Sequence, residues 1–201
     1  IAGIPIEGDT KVLCLLAAPA PSARAAEPPA ILVLGDSLSA GFGLAPGQGW
    51  VALLQQRLKK QGYGYRVVNA SVSGETTDGG VQRIDRALAT HKPKIVVIEL
   101  GGNDGLRGLP IARVRANLEL LITRGRTAGA KVILVEIRVP TNYGPQYGDA
   151  FRQVYHDLAK SRAIPLVSRG MKETGIRASP RARINQGAAE RWLRVPSHRN
   201  Q

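Results

Sequence analysis

Ile31-Leu32-Val33-Leu34-Gly35-Asp36-Ser37-Leu38-Ser39 is the stretch that decides the fold. Its first four residues form a continuous apolar run that stops at a glycine, the pattern of a strand buried on both faces of a parallel sheet. Downstream the same alternation recurs. Trp50, Leu53, Leu54 and Leu58 fall at helical spacing and Gly62 ends the segment, after which Tyr65-Arg66-Val67-Val68-Asn69 reads as a second strand. Val81, Ile84 and Leu88 mark a helix, and Ile95-Val96-Val97-Ile98 with Leu100 a third strand. Ile111, Val114, Leu118, Leu121 and Ile122 precede the strand Val132-Ile133-Leu134-Val135. Phe151, Val154, Tyr155 and Leu158 precede Ile164-Pro165-Leu166-Val167. Five strands thus alternate with four helices, starting about 30 to 37 residues apart. That spacing suits right-handed crossovers and not a sandwich, so the expected class is α/β. The expected architecture is a three-layer α/β/α domain around a flavodoxin-like parallel sheet of about five strands.

The chain of 201 residues is 43% apolar, which excludes a disordered protein and fits one domain with a full core. That domain is expected over residues 26–167. A single cysteine, Cys14, excludes a disulfide framework or a thiolate zinc site, and three scattered histidines do not suggest a metal site. Neither metal nor cofactor is expected. Lys11 precedes the apolar stretch Val12-Leu13-Cys14-Leu15-Leu16-Ala17-Ala18, and Ala23-Arg24-Ala25 offers a small-x-small cleavage site. Residues 1–25 therefore read as an export signal with extraneous residues at its front, and the expected location is periplasmic or secreted. No apolar run reaches the roughly 18 residues needed to cross a bilayer, so stable membrane insertion is not expected. The charge is lopsided: residues 1–161 hold 19 basic and 13 acidic side chains, whereas residues 162–201 hold 9 and 2. A basic tail without interleaved aromatics is weak ground for nucleic-acid binding, and none is expected. A small-molecule substrate and a monomeric state are expected instead.

In an open parallel sheet, ligands bind beyond the carboxyl ends of the strands. The first strand ends in Gly35-Asp36-Ser37-Leu38-Ser39, the second in Asn69-Ala70-Ser71-Val72-Ser73-Gly74-Glu75-Thr76 and the third in Gly101-Gly102-Asn103-Asp104. A hydroxyl, a glycine amide and a carboxamide on one rim are what acyl transfer requires: a nucleophilic oxygen, and N–H donors for the charge developing on a carbonyl oxygen. Ser37 also precedes a helix, whose dipole favours negative charge. A dinucleotide fingerprint fails twice, because Gly41-Phe42-Gly43 is followed by Pro46 at the sixth position and the second strand ends in Asn69. Walker and nucleophile-elbow patterns are absent. Taken singly, each of these residues is also ordinary turn chemistry.

Together the three blocks resemble the SGNH (GDSL) hydrolases. The resemblance is to the periplasmic branch of thioesterase I/lysophospholipase L1 and the bacterial arylesterases. It covers residues 30–167 and extends to Ile137-Arg138-Val139-Pro140-Thr141-Asn142-Tyr143-Gly144, which resembles the loop lining the acyl site there. It implies Ser37 as nucleophile, with the backbone N–H groups of Ser37 and Gly74 and the side-chain amide of Asn103 as the oxyanion hole. Asp36 and Asp104 are expected to hold loop geometry. The activity implied is hydrolysis of acyl esters or thioesters through an acyl-serine intermediate.

The family completes its triad with an Asp-x-x-His pair near the C-terminus, and this chain contains none. The corresponding positions read Pro180-Arg181-Ala182-Arg183-Ile184-Asn185-Gln186-Gly187-Ala188-Ala189-Glu190. His198 lies too far along, His156 belongs to a helix surface, and His91 sits at the opposite end of the sheet. Residues 168–201, rich in Arg, Ala, Pro, Ser and Gly, read as an atypical basic tail, either native or translated in a shifted frame. The alternative to a serine esterase is a non-catalytic acyl- or ester-binding protein on the same fold.

Overall fold

The computed structural model describes residues 27–139 and 143–168. Residues 1–26, which include the expected export signal, Pro140-Thr141-Asn142 and the tail from Arg169 onward lie outside the described residues. The strands are β1 (Ala30–Gly35), β2 (Arg66–Asn69), β3 (Ile95–Glu99), β4 (Lys131–Val135) and β5 (Leu166–Val167). The helices are α1 (Ser37–Ala40), α2 (Trp50–Lys60), α3 (Thr77–His91), α4 (Gly102–Leu106), α5 (Ile111–Thr127) and α6 (Pro145–Ser161). All pairings are parallel and the order is β2-β1-β3-β4-β5. The direction of winding reverses between β1 and β3, where such sheets open a crevice for ligands.

The four long helices and five strands stand where the hydrophobic periodicity puts them, with differences at the edges. β2 begins at Arg66, because the Tyr65 amide is taken by the Tyr63 carbonyl while that of Arg66 reaches Pro29. β5 shrinks to Leu166–Val167: the Ile164 amide closes the turn after α6 on Ala159, and Pro165 has no N–H to give. Two helices are additional to the expected four. α1 and α4 span only four and five residues, too short to show a period.

Burial explains the layers. β1 is buried along its whole length, and Leu32, Val33, Leu34, Val96, Val97 and Ile98 are fully enclosed. One sheet face packs Leu32, Leu34, Val96, Ile98, Val132 and Leu134 against α3, α5 and α6. The other packs Ile31, Val33, Val97 and Val135 against Trp50, Val51 and Leu54 of α2. Helix and sheet approach closely where Gly80 of α3 meets Leu100, since a Cβ there would stand 2.5 Å from a leucine methyl. Among the described residues no helix is long and apolar enough to cross a membrane.

Candidate active site

The carboxyl ends of β1, β2 and β3 are tied into one platform. At β1 the Asp36 carboxylate caps α1 by accepting the Leu38 amide at 2.9 Å. Ser37 is the first residue of that turn, half-buried, with its carbonyl accepting the Phe42 amide at 3.1 Å. From the β2 side the Val72 amide donates to Gly35 at 3.0 Å, and the Asn69 carboxamide donates to the Ser39 carbonyl at 2.8 Å. Gly74 sits exposed beyond this loop at φ +81°, a left-handed conformation in which its amide direction needs no side-chain compromise.

At β3 the chain turns through Gly101, whose φ is +117° and where a Cβ would lie 2.1 Å from the Tyr155 hydroxyl. No other residue fits there. The turn launches α4 with Asn103 in its first turn, and the Asn103 Nδ2 donates to the Glu75 carbonyl at 2.8 Å. One N–H of the carboxamide is thereby fixed against the β2 loop, leaving a second donor on the same nitrogen. Asp104 accepts both the Thr77 amide at 2.9 Å and the Thr77 hydroxyl at 2.6 Å, joining α4 to the start of α3. Asp36 and Asp104 therefore do hold loop geometry, the first as a helix cap and the second as a clamp. Tyr143, Tyr147, Phe151 and Tyr155 form a ladder along α6 and the residues before it, with neighbouring ring centroids 5.4–6.0 Å apart. Three of its hydroxyls donate to the carbonyls of Leu106, Leu109 and Leu100 and so hold the segment that carries Asn103.

The platform is rich in buried acid. Asp36, Glu99, Asp104 and Glu136 are all 6% exposed or less. Burial pushes the Asp36 carboxyl up, the Leu38 amide opposes that shift, and nearby Asp104 adds to it. Burial pushes Glu99 up to about 8, helped by the charge of Asp36 and opposed by a hydrogen bond from Ser39. Neither Glu99 nor Glu136 is marked by the motifs. The only hint is that each is a lone acid beside an apolar run, in Ile98-Glu99-Leu100 and Val135-Glu136-Ile137.

The histidines lie elsewhere. His91 closes α3 at the amino end of the sheet. His156, on the half-exposed side of α6, places Nε2 3.3 Å from the Glu136 carboxylate, which Arg138 also approaches at 3.1 Å. Among the described residues no hydrogen bond joins a histidine to Ser37. Nor does any group of three or more His, Cys, Asp or Glu among them stand ready to hold a metal ion.

Residues 33–195 match the model of the GDSL-like lipase/acylhydrolase family. The chain is 54% identical over 137 residues to esterase TesA of Pseudomonas aeruginosa, covering 68% of each protein. It is 40% identical over 154 residues to thioesterase 1/protease 1/lysophospholipase L1 of Escherichia coli K12, covering 77% of this chain and 73% of that one. A crystal structure of TesA superposes with a TM-score of 0.71 at 44% identity, over 82% of this chain and 98% of that one. The psychrotrophic esterase EstA from Pseudoalteromonas, in a structure inhibited by monoethylphosphonate, gives 0.73 at 33% identity, over 81% and 93%. With the Ser37 turn and the Asn103 loop on either side of the sheet's switch point, the chain belongs to the GDSL-like lipase/acylhydrolase family.

Proposed function

We propose that this protein is a serine hydrolase of acyl esters or thioesters. Ser37 Oγ attacks the substrate carbonyl carbon and gives up its proton to water as the bond forms. The negative charge that moves to the carbonyl oxygen is received by the N–H groups of Ser37 and Gly74 and by the free N–H of the Asn103 carboxamide. Collapse expels the alcohol or thiol, which takes a proton, and leaves acyl-Ser37; water then attacks the same carbonyl and releases the acid. The observation that carries this reading is the fixed Asn103 carboxamide, oriented by Glu75 on the rim where α1 presents Ser37. The relatives' names, esterase and thioesterase, support the substrate class. Substrates with aryl, thiol or lysophospholipid leaving groups fall within it.

The same reading places a strong constraint on rate. An unassisted serine is a weak nucleophile, and removing the triad histidine of a well-studied serine protease costs on the order of a million-fold in turnover. Without an Asp-x-x-His pair, this chain is proposed to be impaired, keeping roughly the thousand-fold advantage over water that an oxyanion hole and binding supply. Should residues 168–201 be a frame-shifted version of the native tail, the complete enzyme carries the pair. The absence of that pair is also what favours the second reading, an acyl- or ester-binding protein that keeps the pocket without turnover. Export to the periplasm or beyond is proposed on the Val12–Ala18 stretch alone.

Covalent labelling with a fluorophosphonate, followed by intact mass, tests the nucleophile. Wild type should gain one phosphonyl group and Ser37→Ala none; equal labelling of both would sink Ser37. Turnover of a p-nitrophenyl acyl ester, measured beside binding of the product acid, separates the two readings, since binding without turnover selects the second.

A further inference from the structure

We propose that Glu99 is a positioning residue for the nucleophile: its hydrogen bond with Ser39 pins the one-turn helix that presents Ser37 onto the end of β3. The inference rests on Ser37 being the nucleophile. α1 has four residues, far below the length at which a helix holds itself together, so its geometry must come from outside. Asp36 caps its start, and Gly41, at φ +77°, closes its end. The remaining anchors converge on Ser39, which is 1% exposed. Its hydroxyl donates to the Glu99 carboxyl, and its carbonyl accepts from Asn69 at 2.8 Å.

Sheet register makes this contact possible. Gly35 and Glu99 are direct partners in the β1–β3 ladder, so the acid stands beside the residue from which α1 departs. A Cβ on Gly35 would lie 2.5 Å from the Ser39 hydroxyl oxygen and 2.7 Å from its Cβ, so the turn folds back directly over the glycine. Gly35, Ser39 and Glu99 form one lock, two residues from the reacting oxygen at its nearest point. A displacement of Ser39 would be felt at Ser37, because the two share a single turn.

The groups around Glu99 set its charge. Asp36 beside α1 is an acid that raises it, and Ser39 is a donor. Beyond them lie Tyr155 of α6, which feels Asp104, Asp36, Glu99 and Glu136 together. The cations of α2 nearest its end, Arg57, Lys59 and Lys60, are in its last turn, and its first turn holds no acid. Burial, with the charge of Asp36 adding to it, raises the Glu99 carboxyl to about 8, against the Ser39 hydrogen bond that favours its ionised form.

The test uses the full chain with Glu99→Gln, Glu99→Ala and Ser39→Ala. Hydrogen exchange at the Ala40 and Phe42 amides, which donate to Asp36 and Ser37, reads the turn directly and independently of chemistry. The rate of fluorophosphonate labelling reads its consequence. Glu99→Ala and Ser39→Ala should each lower the protection of these amides and the labelling rate by on the order of tenfold, the worth of one lost buried hydrogen bond, while protection at Val97 and Leu134 holds. Glu99→Gln, which keeps size and an oxygen that accepts from Ser39, should retain both. Unchanged protection of Ala40 and Phe42 in Glu99→Ala overturns the proposal, as does a Glu99→Gln variant that behaves like Glu99→Ala. If the turn loosens as expected but Ser37→Ala is labelled as fast as wild type, the pinning of α1 by Glu99 stands and the nucleophile reading fails.

Discussion

Glu99 at the end of β3 and Glu136 just past the end of β4 are two acids on adjacent strands, 5% and 6% exposed, and their surroundings differ in sign. Glu136 meets Arg138 at 3.1 Å and His156 at 3.3 Å, both about half exposed, so water and cation share its charge. Glu99 meets Ser39 and the field of Asp36. Equal burial therefore serves two purposes. At β4 the carboxylate joins strand end to helix by ion pairing. At β3, where a serine must be presented without a competing cation near it, a carboxyl kept neutral can support the turn at little electrostatic cost.

The largest expected contrast is in the pH dependence of stability. The Glu99 carboxyl is raised from 4.5 to about 8 on folding, so between these values the folded state holds a proton that the unfolded state has lost. Its contribution is complete below about 4.5 and is lost as the pH rises through about 8. Urea unfolding of Glu99→Gln against wild type should therefore show the variant gaining in relative stability across that window, by on the order of a few kcal/mol at its upper end. Glu136→Gln should show no such gain. It should lose about 1 kcal/mol, and the loss should shrink in salt, because it removes a charge-assisted contact to the half-exposed Arg138 guanidinium. A parallel gain in both variants would erase the distinction between the two acids.

A smaller effect is expected from the residue between them. The Tyr155 hydroxyl donates to the Leu100 carbonyl at 2.8 Å and fills the space that Gly101 leaves open. Tyr155→Phe removes a buried donor and leaves a backbone acceptor bare, which should cost about 1–3 kcal/mol. Its more telling result is positional: fluorophosphonate labelling should fall more than it does in a core variant of matched stability such as Leu118→Val, because α4 carries Asn103. Equal labelling at equal stability would make Tyr155 merely a core residue.

What could be read beforehand follows the length of the signal. β1 and β3 announce themselves as four-residue apolar runs, and α5 by five apolar residues at helical spacing, because burial of whole elements leaves a periodic mark. Ser37, Gly74 and Asn103 stand in short blocks at strand ends, where topology alone brings loops together. α1 and α4 are single turns without a period, held by caps and by contacts from other strands. Glu99 was invisible for a related reason: an acid among Ile98 and Leu100 could break a strand or be buried in it, and only its register opposite Gly35 reveals Ser39 as its partner. Tyr155 reads as part of a helix face, but its carbonyl partner lies 55 residues away, and those of Tyr143 and Tyr147 lie 37 and 38 residues away.

The least effect is expected at His156, and it sharpens the comparison from the other side. Its imidazole is 45% exposed, and among the described residues its contact with Glu136 is one of two ion-pair contacts that the carboxylate makes, the other being to Arg138. An exposed pairing partner recovers most of its hydration when the pair is broken, and its carboxylate still has the guanidinium. His156→Ala should change stability by about 0–1 kcal/mol and leave the rate of Ser37 labelling where it is in wild type. Were labelling instead to collapse with His156 removed and the fold intact, the histidine beside Glu136 would be taking the serine proton by a route outside the described residues. The chain would then carry a base of its own, and the division between an ion-paired β4 end and the β1–β3 end that presents Ser37 would have to be redrawn.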